Sequence, residues 1–125
     1  MSDAPEVLVT GAAGFIGAAV CRRLVALGAR VVGVDDLSAG DPARVADLAG
    51  SSFDLVVADV RDESLLDGLL AREPRAVLHL AGHVGVRRVL ADPEQCEAEN
   101  LALGRSLADA VARCDRVPRL VAAST

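Results

Sequence analysis

The chain has 125 residues, 52% of them hydrophobic, which suits one domain with a real core and excludes a disordered tail. Eighteen acidic residues stand against thirteen basic ones, and the net charge of −5 argues against a nucleic-acid-binding surface. The longest apolar stretch, Leu8 to Val20, is broken by Thr10 and three glycines, so it falls short of the ~18–20 apolar residues of a membrane helix. The start MSDAPEV lacks the basic segment of a signal peptide, which makes the cytoplasm the expected compartment, with no membrane partner. Glu6 to Thr10 (EVLVT) predicts a first strand, ended by Gly11. Gly14 to Leu27 predicts a helix closed by Gly28. Arg30 to Val34 reads as a second strand, with Asp35 and Asp36 after it. Asp41-Pro42 is a cap followed by a first-turn proline, starting a short helix to about Leu48. Phe53 to Ala58 predicts a third strand, and Asp62 to Arg72 a helix carrying leucines at 65, 66, 69 and 70. Ala76 to Leu80 is a fourth strand. Asp92-Pro93 then caps a long helix to about Cys114, with Leu101, Leu107 and Val111 among its apolar positions. Leu120 to Ala123 is a fifth strand.

Strands alternating with helices imply an α/β fold with a parallel sheet covered on both faces. The strands are apolar without alternation, which fits burial on both sides. Right-handed crossovers then favour a doubly wound sheet in the order 3-2-1-4-5, incomplete at its C-terminal side.

The chemistry sits where the first strand ends. Gly11, Gly14 and Gly17 are spaced GxxGxxG. A dinucleotide site needs a sharp turn out of the strand, a close backbone approach to the pyrophosphate, and tight packing of the following helix, whose N-terminus faces the phosphates. Helix packing alone also selects such glycines, but these three follow a strand and open a helix within a βαβ unit. Asp35 closes the second strand 18 residues after Gly17, where a carboxylate accepts from an adenosine ribose diol; a solvated turn carboxylate is the plainer reading. A 2′-phosphate would meet that negative charge, and Asp36, Leu37 and Ser38 add no cation, the nearest being Arg44. NAD is therefore expected over NADP.

Cys21, Cys96 and Cys114 are odd in number and far apart, and read as apolar fillers or exposed thiols. His79 and His83 are four apart without a third ligand, so no metal is expected.

The stretches VTGAAGFIG (9–17), VDDLSAG (34–40), ADVRD (58–62), HLAGHVGVRR (79–88) and DPEQCEAEN (92–100) resemble the extended short-chain dehydrogenases. The resemblance is to the NAD-dependent epimerase/dehydratase family, of the UDP-glucose 4-epimerase kind, and covers the chain from Val7 to Thr125. It implies a Rossmann-type NAD-binding domain over residues 1–125. By that resemblance Gly11, Gly14, Phe15, Ile16 and Gly17 hold the pyrophosphate. Asp35, with Asp36, Leu37 and Ser38 beside it, binds the adenosine ribose. Asp59 and Val60 flank the adenine, the carboxylate accepting from its exocyclic amine. Leu80, Ala81 and Gly82 pass close to the middle of the cofactor, and Asn100 anchors backbone nearby. Asp59 as a turn residue and Asn100 as an ordinary helix polar are the plainer alternatives. Arg87 and Arg88 face either a nucleotide-sugar phosphate or solvent.

The resemblance also implies a nucleotide-sugar substrate, a homodimer when complete, and hydride transfer through a keto sugar. Dehydratase or decarboxylase chemistry and a non-catalytic nucleotide-binding module are the alternatives. Thr125 falls at the catalytic Ser/Thr position, with Ser124 as fallback. Some relatives place a Lys where Val84 stands. The family's catalytic Tyr and Lys come from a YxxxK motif, and this chain has no Tyr and no Lys. The expectation is therefore the amino-terminal part of a longer enzyme, without its substrate domain and inactive by itself.

Overall fold

The computed structural model describes residues 4–82 and 86–123. Strands β1 (Glu6–Thr10), β2 (Arg30–Asp35), β3 (Phe53–Val57), β4 (Ala76–His79) and β5 (Arg119–Ala122) form one parallel sheet in the order β3-β2-β1-β4-β5. Helix α1 (Phe15–Ala26) joins β1 to β2, and a 3-10 helix at Pro42–Leu48 precedes β3. Helix α2 (Glu63–Leu70) leads to β4, and helices α3 (Val86–Ala91) and α4 (Pro93–Ala112) lead to β5. The register sets Leu8 opposite Val32 on one side and Val77 on the other. This is the expected topology, with strand ends within a residue or so of the sequence reading.

Alternation along β1 divides the core. Val7 and Val9 join Ala18 and Cys21 of α1, Val45 and Leu48 of the 3-10 helix, and Phe53 of β3. Leu8, with Val32 and Val77, packs against Leu66 and Leu70 of α2 and Leu107, Ala110 and Val111 of α4. Burial pushes the Cys21 thiol up to about 12, so it behaves as an apolar filler. A Cβ at Gly33 in β2 would lie 2.5 Å from the Ala12 Cβ and 3.1 Å from Cε2 of Phe53, which accounts for a glycine in a central strand.

Burial on both sides holds for β1 and β2. β5 is the edge strand of a sheet read as incomplete on that side, and its four residues are exposed. Ahead of α4 the chain forms α3 at Val86–Ala91, the helix that carries Arg87 and Arg88. Pro93 ends it: the residue before a proline is pushed out of the helical region, and Asp92 sits at φ −153°, ψ 80°, its carboxylate accepting from Gln95 N at 3.0 Å. Leu101 is 54% exposed, while Leu107 and Val111 are buried. The C-terminal half of α4 thus makes the sheet contacts. In its N-terminal half Cys96 is buried and points its thiol at the Arg88 carbonyl of α3.

Candidate functional site

At the end of β1 the chain turns through Gly11 at φ +73°, a conformation costly for residues with a Cβ. A Cβ there would also stand 2.7 Å from Ala81 N and 2.8 Å from the Leu80 carbonyl carbon. The Gly11 N–H donates to the Val34 carbonyl at 2.8 Å, drawing the loop over β2. A Cβ on Gly17 would overlap the Gly11 carbonyl oxygen. The fold itself therefore requires glycine at 11 and 17. Gly14 differs: its φ of −77° and ψ of 173° suit any residue, and its Cβ would touch only the Gly11 oxygen, at 3.3 Å. Gly14 is also the N-cap of α1, where Ser or Asp would satisfy a first-turn N–H, and no side chain caps this helix.

Asp35 is 8% exposed at the end of β2. Its Oδ2 accepts from Ala13 N at 2.9 Å and its Oδ1 from Leu37 N at 2.8 Å. Leu37 aims that N–H from φ +63°, and a Cβ on Gly40 would stand 2.8 Å from either carboxylate oxygen. Ala13 ties the two loops together. Its carbonyl accepts from Arg44 Nη1 at 2.9 Å and from Asp41 N at 3.0 Å. Beside it, Asp36 Oδ1 accepts from the Ser38 N–H at 2.9 Å and the Ser38 hydroxyl at 2.8 Å.

The end of β4 is held by Thr10. Its Oγ1 accepts from Leu80 N at 3.1 Å and Ala81 N at 3.2 Å, and lies 2.7 Å from His79 Nδ1. With its lone pairs so engaged, the hydroxyl proton goes to His79, which fixes a bare Nδ1 and a protonated Nε2. Burial holds this imidazole below its ordinary value, which keeps it neutral.

These segments enclose a cleft of about 560 Å³ across the C-terminal ends of the strands, the usual ligand position in a doubly wound sheet. Gly11, Gly14, Phe15, Ile16 and Gly17 line it, as do Asp35, Asp36, Ser38, Val60, Leu80, Ala81 and Gly82. Three expected residues are not part of the wall. Leu37 contributes its N–H to Asp35. Asn100 sets its Oδ1 3.3 Å from where a Gly82 Cβ would be. Asp59 pairs with Arg61, whose Nη2 donates to its Oδ2 at 2.7 Å. Ser124 and Thr125 lie outside the described residues, as do His83 and Val84. The sequence reading missed Gly40, Arg44 and Arg61 on the wall. Arg44 reaches the wall from the 3-10 helix that the sequence predicts as a short helix. At the Ala13 clasp the residue in the middle contributes only its N–H and carbonyl, so its own side chain gives no signal of the contact.

A family model described as NAD dependent epimerase/dehydratase matches residues 7–125. A UDP-glucose 4-epimerase of Mycolicibacterium smegmatis is 46% identical over 90 residues, 70% of this chain and 28% of that protein. UDP-glucuronate 4-epimerase 3 of Arabidopsis thaliana is 36% identical over 126 residues, 96% of this chain and 29% of that one. The crystal structure of a UDP-glucose 4-epimerase from Stenotrophomonas maltophila, with bound NAD and formylated UDP-arabinopyranose, superposes with a TM-score of 0.85 at 32% identity. That match covers 97% of this chain and 37% of the other. The chain thus spans under a third of the length of these two curated relatives. Its glycine turn, its β2 carboxylate and its match along nearly the whole sequence agree: the chain belongs to the NAD-dependent epimerase/dehydratase family.

Proposed function

We propose that residues 1–125 are the NAD-binding part of a nucleotide-sugar epimerase or dehydratase. Gly14 carries this reading. The fold accounts for Gly11 and Gly17, but the glycine that its own packing needs least lies at the helix N-terminus, on the wall of the cleft. A bound pyrophosphate explains it, because a side chain at that position would stand between the phosphates and the N–H groups of α1. The residues present fit NAD in other respects. Asp35 offers its carboxylate, preset by two N–H groups, to a ribose diol. Leu80, Ala81 and Gly82 give a narrow apolar passage toward β4. Bound NAD would supply a reversible hydride acceptor, which epimerisation through a keto sugar requires. Thr125, with Ser124 beside it, stands where the family resemblance puts the hydroxyl that contacts substrate. A general base matched to a sugar hydroxyl would be the family's Tyr, tuned by its Lys, and these 125 residues contain neither.

The test is calorimetric titration with NAD and NADP, together with turnover assays on UDP-glucose. The chain should bind NAD more tightly than NADP and turn over no sugar. Asp35→Ala should weaken NAD by ~1.5–3 kcal/mol, the scale of a lost charge-assisted hydrogen bond, and narrow the gap between the two cofactors. Affinities that the substitution leaves unchanged would remove Asp35 from the site, and turnover by residues 1–125 would show the acid–base machinery misplaced.

A further inference from the structure

We propose that Arg44 is a second residue that sets cofactor choice: a cation at the rim of the ribose pocket that receives a 2′-phosphate and so tempers the exclusion of NADP by Asp35. The inference rests on the dinucleotide reading of the cleft and deepens it at the ribose. Ala13 brings the two charges together. Its N–H donates to Asp35 Oδ2 at 2.9 Å, and its carbonyl accepts from Arg44 Nη1 at 2.9 Å. The carboxylate read as the ribose ligand and the guanidinium thus hold the two polar groups of one residue, immediately before the Gly14 cap, and both line the cleft. The backbone of Arg44 is fixed as well. It lies in the 3-10 helix Pro42–Leu48, where its N–H donates to the Asp41 carbonyl at 3.0 Å and its own carbonyl accepts from Arg22 Nη2 at 2.7 Å.

No acid neutralises this cation. Arg22 pairs with Asp47 at 2.8 Å and Arg61 with Asp59 at 2.7 Å, whereas among the described residues no carboxylate pairs with Arg44. The Ala13 carbonyl needs one donor, which a neutral amide could supply, so the clasp leaves the charge and the remaining N–H groups of the guanidinium unexplained. A phosphate on the ribose 2′-oxygen would use both. Its oxygens match the guanidinium fork, and charge-assisted bonds of this kind are the strong ones. Asp35 repels that phosphate, and Asp36, whose Oδ1 is occupied by Ser38, adds no attraction. The two residues therefore act in opposition: the carboxylate favours the free diol of NAD, and the arginine makes the phosphate of NADP tolerable.

NAD and NADP differ only by that phosphate. Each is titrated calorimetrically into the full chain, into Arg44→Gln, Arg44→Lys and Asp35→Ala, and into the double variant of Asp35→Ala with Arg44→Gln, with circular dichroism confirming that each is folded. Gln keeps an N–H donor for the Ala13 carbonyl and removes the charge. The readout is the ratio of the two affinities, which a loosened glycine loop, felt by both cofactors, does not move. The unaltered chain should prefer NAD. Arg44→Gln should widen that preference by about tenfold, the scale of one charge-assisted hydrogen bond, and Arg44→Lys should widen it by less. Asp35→Ala should bring the two cofactors within about threefold, and adding Arg44→Gln should part them again by about tenfold. A ratio that Arg44→Gln leaves unchanged on both backgrounds, even with both affinities reduced, would make Arg44 a clasp on the glycine loop alone and overturn the proposal while the dinucleotide site stands. An Asp35→Ala chain that binds NAD but not NADP would overturn it equally. Failure of the folded, unaltered chain to bind either cofactor would overturn the dinucleotide reading, and this inference with it.

Discussion

Strands β1 and β5 are alike in composition and differ in circumstance. EVLVT at one and RLVA at the other are short apolar runs at the same depth of the sheet, yet Leu8 is 2% exposed and Leu120 39%, Val9 0% and Val121 51%. The difference lies in the layers above and below. β1 has α1 and the 3-10 helix over one face and α2 and α4 over the other. β5 pairs through β4 alone. Apolar sequence therefore specifies that a segment is a strand, while its burial depends on what the rest of the chain lays over it. The cleft straddles the two regimes. Its glycine loop and Asp35 belong to the covered half, and its far wall at Leu80–Gly82 and Ala123 belongs to the thinly covered one.

The largest expected contrast comes from truncating one leucine in each strand. Leu8→Ala should cost about 2–5 kcal/mol, because the surrounding core cannot fully collapse onto the space. Leu120→Ala should cost only about 1–2 kcal/mol, since Leu120 keeps 39% of its surface in water and the exposed face leaves no closed cavity. Urea denaturation of both variants measures the difference, and equal losses would mean that β5 is covered in solution.

A smaller effect reads the joint between the halves, where Thr10 of β1 meets His79 of β4. The ordinary imidazole value is 6.5, and His79 lies below it in the folded chain. The unfolded chain thus takes up this proton first as pH falls. The contribution is fully present above about pH 6.5 and is lost as pH falls below it toward the folded-state value, by at most ~1.4 kcal/mol per pH unit. Stability curves for the chain and for His79→Gln should diverge in slope below that pH, and parallel curves would show that the imidazole is not buried against Thr10.

Smallest is a gain. Glu73 sits at φ +55° just past the end of α2, on the approach to β4, where glycine is the usual residue. Relief of that strain exceeds the added freedom of the unfolded chain, so Glu73→Gly should stabilise by ~0.5–1 kcal/mol. The exposed pair it gives up with Arg116, at 3.9 Å, contributes little. A thermal melt shifted upward by a few degrees is the expected readout.

How much of this was legible beforehand follows the same division. Sheet order, both glycine turns and Asp35 could be read because each rests on local rules: strand pattern, crossover handedness, and a residue type demanded by its backbone or its charge. What could not be read was relational. Leu101 is as apolar as Leu107 and yet is 54% exposed, because six residues at about 100° each turn it roughly 120° away from the buried face of α4. The grip of Asp59 on Arg61, two places on, is likewise a contact that motif position does not announce. The clasp at Ala13 is made through that residue's main-chain N–H and carbonyl, which receive Asp35, Arg44 and Asp41, so the identity of residue 13 gives no sign of it.

Gly33 extends the relational theme into sequence variation. Because its missing Cβ is the space taken by Ala12 and the ring of Phe53, these three positions form one compartment shared by the glycine loop, the second strand and the third. A larger residue at 33 needs room both at 12, whose Cβ would stand 2.5 Å away, and at 53, whose ring would stand 3.1 Å away, so descent through single substitutions must take those steps in a fixed order. The glycine loop is therefore constrained by history as well as by its ligand. Among descendants of a common ancestor, the identity of residue 12, beside the cofactor loop, should be statistically tied to that of residue 53, forty-one places away and in contact with no ligand.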